Sequence, residues 1–168
     1  MITTKYIKTM AQYNLWQNNS LYQAADTLSA NERLKDRGAF FGSIHGTLSH
    51  LLWGDQIWLS RFAGTPKPAV ASIPESNSMV ADWDELSAQR KTMDQRILDW
   101  ANGLADADVT GDLTWFSGAV GREVSKPKGM LITHMFNHQT HHRGQVHAML
   151  TQAGARPDDT DLFILETE

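Results

Sequence analysis

The chain has 168 residues, of which 41% are hydrophobic and 20% charged. That balance fits one globular domain, residues 1–168, and excludes a disordered segment. There is no cysteine, so disulfide frameworks, Cys-ligated zinc and protein-borne thiol nucleophiles are excluded. Lys+Arg number 15 and Asp+Glu 19, for a net charge of −4, a poor match to the polyanionic backbone of nucleic acid. No apolar run approaches the length of a membrane span, and the N-terminal segment MITTKYIKTM lacks a signal-peptide core. The cytoplasm is the expected compartment, with no membrane partner.

Residues Ile2 to Leu28 carry Tyr6, Met10, Tyr13, Leu15, Trp16, Leu21, Ala24 and Leu28 at helical spacing with no Pro or Gly between them, which predicts one long amphipathic helix. Ser29 precedes Glu32 by three residues, the pattern of a capping box on a short following turn. A second helix is predicted from Ser43 to Phe62, apolar nearly all round and therefore mostly buried. Gly46 and Gly54 inside it mark either close helix contact or local weakness. Gly64, Pro66, Pro68 and Pro74 then break the chain, and residues 64–79 form a long connection, either functional or mobile.

A third helix is predicted from Val80–Asp82 to Asn102–Gly103, with Arg90, Lys91, Asp94 and Arg96 on a solvated face. Residues 112–126 suggest a small hairpin. Pro127, with Ser125 as a nearby cap, opens a fourth helix that runs to Gln152 before Gly154 and Pro157. The acidic tail Asp158–Glu168 carries a Leu-Phe-Ile-Leu run expected to pack on the helices. No internal repeat or low-complexity tract is present. The expected fold is all-α, a four-helix bundle with a long connection and a small hairpin before the last helix.

Seven histidines fall in two clusters: His45 and His50, then His134, His138, His141, His142 and His147. His138 and His142 are four residues apart, about 40° on a helix, so both imidazoles can converge on one ion. His134 lies one turn earlier on that stripe, Gln145 lies about one turn later, and His141 flanks it. His147 points about 180° away from His138. A third ligand must come from the second helix. There His45 and His50 are about 140° apart and cannot serve one site together. His50 lies deep in the apolar helix, whereas His45 lies near its start, where solvent is expected, so His50 is selected.

His50, His138 and His142 then form a three-imidazole site with vacant positions, the pattern of a catalytic rather than a closed structural centre. A histidine-rich helix also occurs as plain polar surface. What favours a shared ion is the cost of burying three imidazoles without partners. Zinc or nickel suits this donor set. His134 and His141 are the candidates for proton transfer, since an unperturbed imidazole titrates near pH 6.5. Arg61, about 20° from His50 and three turns on, can meet an anionic substrate group, although a surface salt bridge is the plainer expectation. Trp53 and Trp58 read as core. Asp55, about 140° from His50, should face elsewhere.

Three segments resemble a known family. Asn137-His-Gln-Thr-His-His-Arg-Gly-Gln145 is similar to the last-helix motif of the DinB family. Tyr13-Asn-Leu-Trp-Gln-Asn18 resembles its first-helix signature, and Gly46-Thr-Leu-Ser-His-Leu-Leu-Trp-Gly-Asp55 its second. The family is unrelated in fold to the translesion polymerase that shares the name. The resemblance implies a four-helix bundle, commonly a homodimer, with a metal on His50, His138 and His142. It also implies kinship with transferases and isomerases that use low-molecular-weight thiols.

The leading expectation is a metal-dependent enzyme, a thiol-dependent transferase or a hydrolase acting on a small molecule. Any thiol must arrive as a cofactor, because the chain has none of its own. The alternative is a non-catalytic metal-binding or stress-response protein, distinguished by a fourth protein ligand and no access to the ion.

Overall fold

Helix boundaries follow their caps. The Thr3 hydroxyl accepts from the Tyr6 amide and opens α1, Thr4–Asp26, in a computed structural model that describes residues 2–118 and 120–165. Ser29 caps the short α2, Ala30–Leu34, through the Glu32 amide. Ser43 caps α3, Ile44–Ala63, which ends at Gly64 with φ +68°, a left-handed stop that favours glycine. A single helical turn, α4, spans Ile73–Ser76. Asp82 caps α5, Trp83–Gly103. Strands β1, Asp112–Ser117, and β2, Arg122–Pro127, pair antiparallel with Asp112 opposite Pro127 and Ser117 opposite Arg122. The longest helix, α6, spans Lys128–Gln152.

The protein is thus mostly helical with one small two-stranded sheet. The four long helices share one core: α1 packs on α5 and α6, and α3 packs on the same two. Ile7 and Leu21, Leu48 and Leu52, Leu86 and Ile97, and Phe136 and Val146 are fully buried contributions from the four in turn. Every residue of α3 from Ile44 to Asp55 is buried, as its all-round apolar pattern predicts. Among the described residues, no helix is long and apolar enough to cross a membrane.

A polar layer crosses this core. Arg90 on α5 donates to Asp55 on α3 at 2.6 Å and pairs with Asp94 one turn on at 2.9 Å. Asn18 on α1 donates to Asp94 at 2.8 Å. From α6, Gln139 donates to Asp55, and Arg143 donates to Asn14 on α1. All seven side chains are buried. Burial pushes the Asp55 carboxyl upward against the pull of Arg90. Burial also brings Arg143 down to about 10, so it stays charged at neutral pH.

Several expectations are corrected here. Arg90 and Asp94 do not lie on a solvated face; each has a buried partner of opposite charge, which a sequence pattern does not reveal. Ser125 does not cap the last helix. It lies in β2, where it accepts from Thr114, and α6 has no side-chain cap. Most of the apolar tail stays exposed: Leu162, Phe163 and Ile164 are 43%, 87% and 45% exposed, and Leu165 alone of the run is half-buried. The segment before them is held to α1 by polar bonds instead, from Tyr13 to the Thr160 carbonyl and from Gln17 to the Asp159 carbonyl. Glu166, Thr167 and Glu168 lie outside the described residues.

Arg90→Ala should cost about 3–5 kcal/mol of stability, because it leaves two buried carboxylates without their cation. Urea unfolding followed by circular dichroism measures the loss.

Candidate metal centre

The i, i+4 pair on α6 and His50 on α3 converge as the spacing predicts. Nitrogens of His50, His138 and His142 all lie within 4.8 Å of one another. His50 Nε2 and His138 Nε2 are 3.1 Å apart. Two imidazole nitrogens each about 2.0–2.1 Å from one tetrahedral ion would be about 3.3 Å apart, so this pair stands at ligand spacing. His50 is 2% and His142 7% exposed, and His138 is partly buried.

Hydrogen bonds fix which nitrogen faces inward. The Ser76 hydroxyl donates to the Ile73 carbonyl and so accepts from His50 Nδ1, 2.7 Å away. That leaves the His50 Nε2 lone pair directed at the other two rings. His142 Nδ1 donates to Gln145 Oε1 at 2.8 Å, with the same result. Partners of this kind are what orient imidazole ligands in metal centres. Aromatic rings complete the setting. Phe41 stacks on His50 with ring centroids 3.7 Å apart, and Trp53 stacks on its other flank at 5.6 Å.

Burial holds the triad neutral. It brings His50 and His138 from the ordinary 6.5 down to about 3, with the neighbouring imidazoles adding repulsion. His142 is lowered by burial too, against the opposing effect of its hydrogen bond to Gln145. Neutral imidazole is the form that binds metal, and the donor set fits a divalent transition metal.

Gly54 gains a definite role. A Cβ there would meet His138 Cε1 at 3.1 Å, so the glycine marks the close approach of α6 to α3. Gly46 does the same against the Phe41 carbonyl, at 2.6 Å.

The remaining histidines separate. His134 is 5.2 Å from Trp58 and 6.0 Å from His138, ring to ring, and it lines a cavity of 580 Å³ that reaches His50 and His138. His141 stands 4.8 Å from His142 but does not line that cavity. His147 is not part of the group. His45, expected near solvent, is 5% exposed, and its Nε2 donates to the Val80 carbonyl at 2.7 Å; the chain leading into α5 covers it. Asp55 faces away from the histidines, toward Arg90, as its angle predicts.

Trp53 is buried as expected, yet it also forms cavity wall beside Trp58. Among the described residues, Arg61 makes no salt bridge. Its guanidinium lies over Trp58 at 4.6 Å and near Trp115 at 5.3 Å.

Four contributors escaped the sequence reading: Phe41, Ser76, Trp115 and the wall formed by residues 71–74. A signal existed for two of them. Ser72 stands three residues before Glu75, with Pro74 between, a helix-start pattern that marks α4 and hence Ser76. Leu113, Trp115 and Ser117 alternate with exposed residues, which sets Trp115 on the inward face of the hairpin.

The whole chain, residues 1–168, matches the DinB family model. This protein belongs to the DinB family. It is 26% identical over 165 residues to Protein DinB of Bacillus subtilis (strain 168), covering 94% of each chain. It shares its fold with the crystal structure of a DinB-like protein from Bacillus cereus ATCC 10987. There the TM-score is 0.65 at 15% identity, over 86% of this chain and 90% of that one.

Because the folded state keeps His50 and His138 neutral, the unfolded chain binds more protons between pH 6.5 and about 3. Stability of the metal-free protein should be complete above pH 6.5 and fall as pH drops through that window. Urea midpoints measured from pH 7 to pH 4 check this, and His50→Gln should flatten the slope.

Proposed function

We propose that this protein is a metal-dependent enzyme acting on a small molecule, built as a four-helix bundle with a divalent transition metal, zinc or nickel, on His50, His138 and His142. The observation that carries the reading is the cavity. Two members of the three-histidine cluster, His50 and His138, line a 580 Å³ space whose other walls are mainly aromatic and aliphatic side chains. A structural centre would be closed by a fourth protein ligand, and among the described residues the cluster has three members. That contrast favours catalysis over passive metal storage.

A divalent ion there would supply Lewis acidity, lowering the pKa of a water or thiol that reaches it. The chain's own residues would do the rest. Three neutral imidazoles would leave the charge of a bound ion uncompensated, which would favour anionic nucleophiles. His134, on the cavity wall, has its pKa lowered by partial desolvation and by the Arg61 charge, and its imidazole can accept a proton from the nucleophile or return one to a leaving group. Trp53 and Phe41 exclude water around His50. Since the chain holds no cysteine, the thiol of a transferase reaction would enter as a low-molecular-weight cofactor; a hydrolase would need only water. His141, outside the cavity, has a weaker claim to proton transfer than His134. The homodimer implied by the family resemblance is retained in this reading, as is an intracellular small-molecule substrate.

His142→Ala should lose most bound zinc or nickel, read by metal analysis after dialysis, while His147→Ala should keep wild-type content. Equal content in wild type and His142→Ala would sink the assignment. Removing the ion with EDTA should lower the Tm of the loaded protein, since the ion ties α3 to α6.

A thiol screen with a generic electrophile tests the chemistry. Where turnover is found, His134→Ala should reduce kcat by about a hundredfold with metal content unchanged. Unaltered kcat would remove His134 from the mechanism.

A further inference from the structure

The cavity has a single charged wall. Arg61 sits in the last turn of α3, half-buried, with its guanidinium over two indole rings. Among the described residues, no carboxylate lines the cavity and none pairs with Arg61. Burial alone acts on it, pulling its pKa down, as expected of a cation taken from water without a counter-charge. The guanidinium carbon lies within cation–π distance of both Trp58 and Trp115, and among the described residues its N–H groups have no hydrogen-bond acceptor. A fork of donors left open in this way matches the two oxygens of a carboxylate.

Most of the remaining lining is apolar: Ile57, Trp58, Ile73 and Trp115 contribute to it, with Ser72, Ser117 and His134 as its other polar members beside His50 and His138. Arg61 and His50 lie on the same helix, about 16 Å apart along the axis. The arginine side chain leans back toward the helix N-terminus, so the two ends of a ligand would lie on the order of 10 Å apart. The volume of 580 Å³ is in the range of small-molecule sites.

We propose that the cavity takes a small organic carboxylate, with the carboxylate on Arg61, an apolar body between the indoles and isoleucines, and the opposite end at His138 and His50. The proposal names the substrate class for the enzyme described above and rests on that reading only for the chemistry at the histidine end. The docking of the carboxylate does not require an ion.

The test compares 4-phenylbutyrate with its neutral primary amide by tryptophan fluorescence and calorimetry, on protein stripped with EDTA and on zinc-loaded protein. The carboxylate should bind about tenfold more tightly than the amide in both forms. Arg61→Gln should abolish the preference while leaving amide binding unchanged. Arg61→Lys, which keeps the charge and loses the fork, should show a reduced preference and carries the test where the glutamine variant does not fold.

Equal affinity for acid and amide in stripped wild-type protein would overturn the proposal. So would a preference that appears only with zinc and survives in Arg61→Gln, because the carboxylate would then sit on the ion. Failure of both probes to bind at millimolar concentration would overturn it as well. Failure of the metal reading has a different signature: no zinc retained, with the Arg61-dependent preference intact in the stripped protein.

Discussion

A carboxylate taken out of water must keep its partners, and Asp55 imposes that demand on the whole molecule. It is fully buried on α3 and is met by Arg90 from α5 and Gln139 from α6. Asp94, Asn18, Asn14 and Arg143 extend the layer to α1. Apolar packing alone tolerates some rotation of a helix about its axis. Directed bonds to a buried charge do not. The layer therefore sets the rotation of α3 and α6, and the histidines inherit it. On α3, Asp55 points one way and His50 the other. On α6, Gln139 and Arg143 form one i, i+4 pair facing the polar layer. His138 and His142, displaced by a single residue, form another facing His50.

This pairing explains why the site is complete with so few long-range supports. The seven polar residues of the layer fix two helices against each other. Gly54 lets them approach until the imidazoles meet. The connection after α3 then folds back, so that Ser76 orients His50 and Trp53 donates to the Val70 carbonyl. Positioning, approach and orientation thus come from three separate parts of the chain.

Much of this was legible in the sequence. The four long helices, the hairpin and the triad follow from periodicity, caps and the angle between residues four apart. Each is a local property; His45 and His50 are both buried, and what separates them is the roughly 140° between their directions on α3. The polar layer was not legible. Arg90 and Asp94 read as surface because a charged residue is nearly always solvated, and the exceptions depend on partners from other helices. His45 failed for the same reason: the Val80 carbonyl that satisfies it arrives from 35 residues away. Ser76 and Trp115 were within reach of local patterns, but their relevance depends on where the connection and the hairpin fold back. The surface salt bridge expected of Arg61 was a statistical expectation, and the two indoles took its place.

The hairpin has an evolutionary implication. It touches the helices through few side chains, Trp115 chief among them, and alternate residues along β1 are exposed. A two-stranded ribbon of this kind makes little contribution to the core, so its sequence can drift at small thermodynamic cost. The histidines, by contrast, lie on helices locked by the buried charges. On the function proposed above, ion binding and ligand choice would be carried by parts of the chain that can diversify independently. Such a scaffold would change its ligands by rewriting a dozen residues of ribbon while the histidine triad stays where it is.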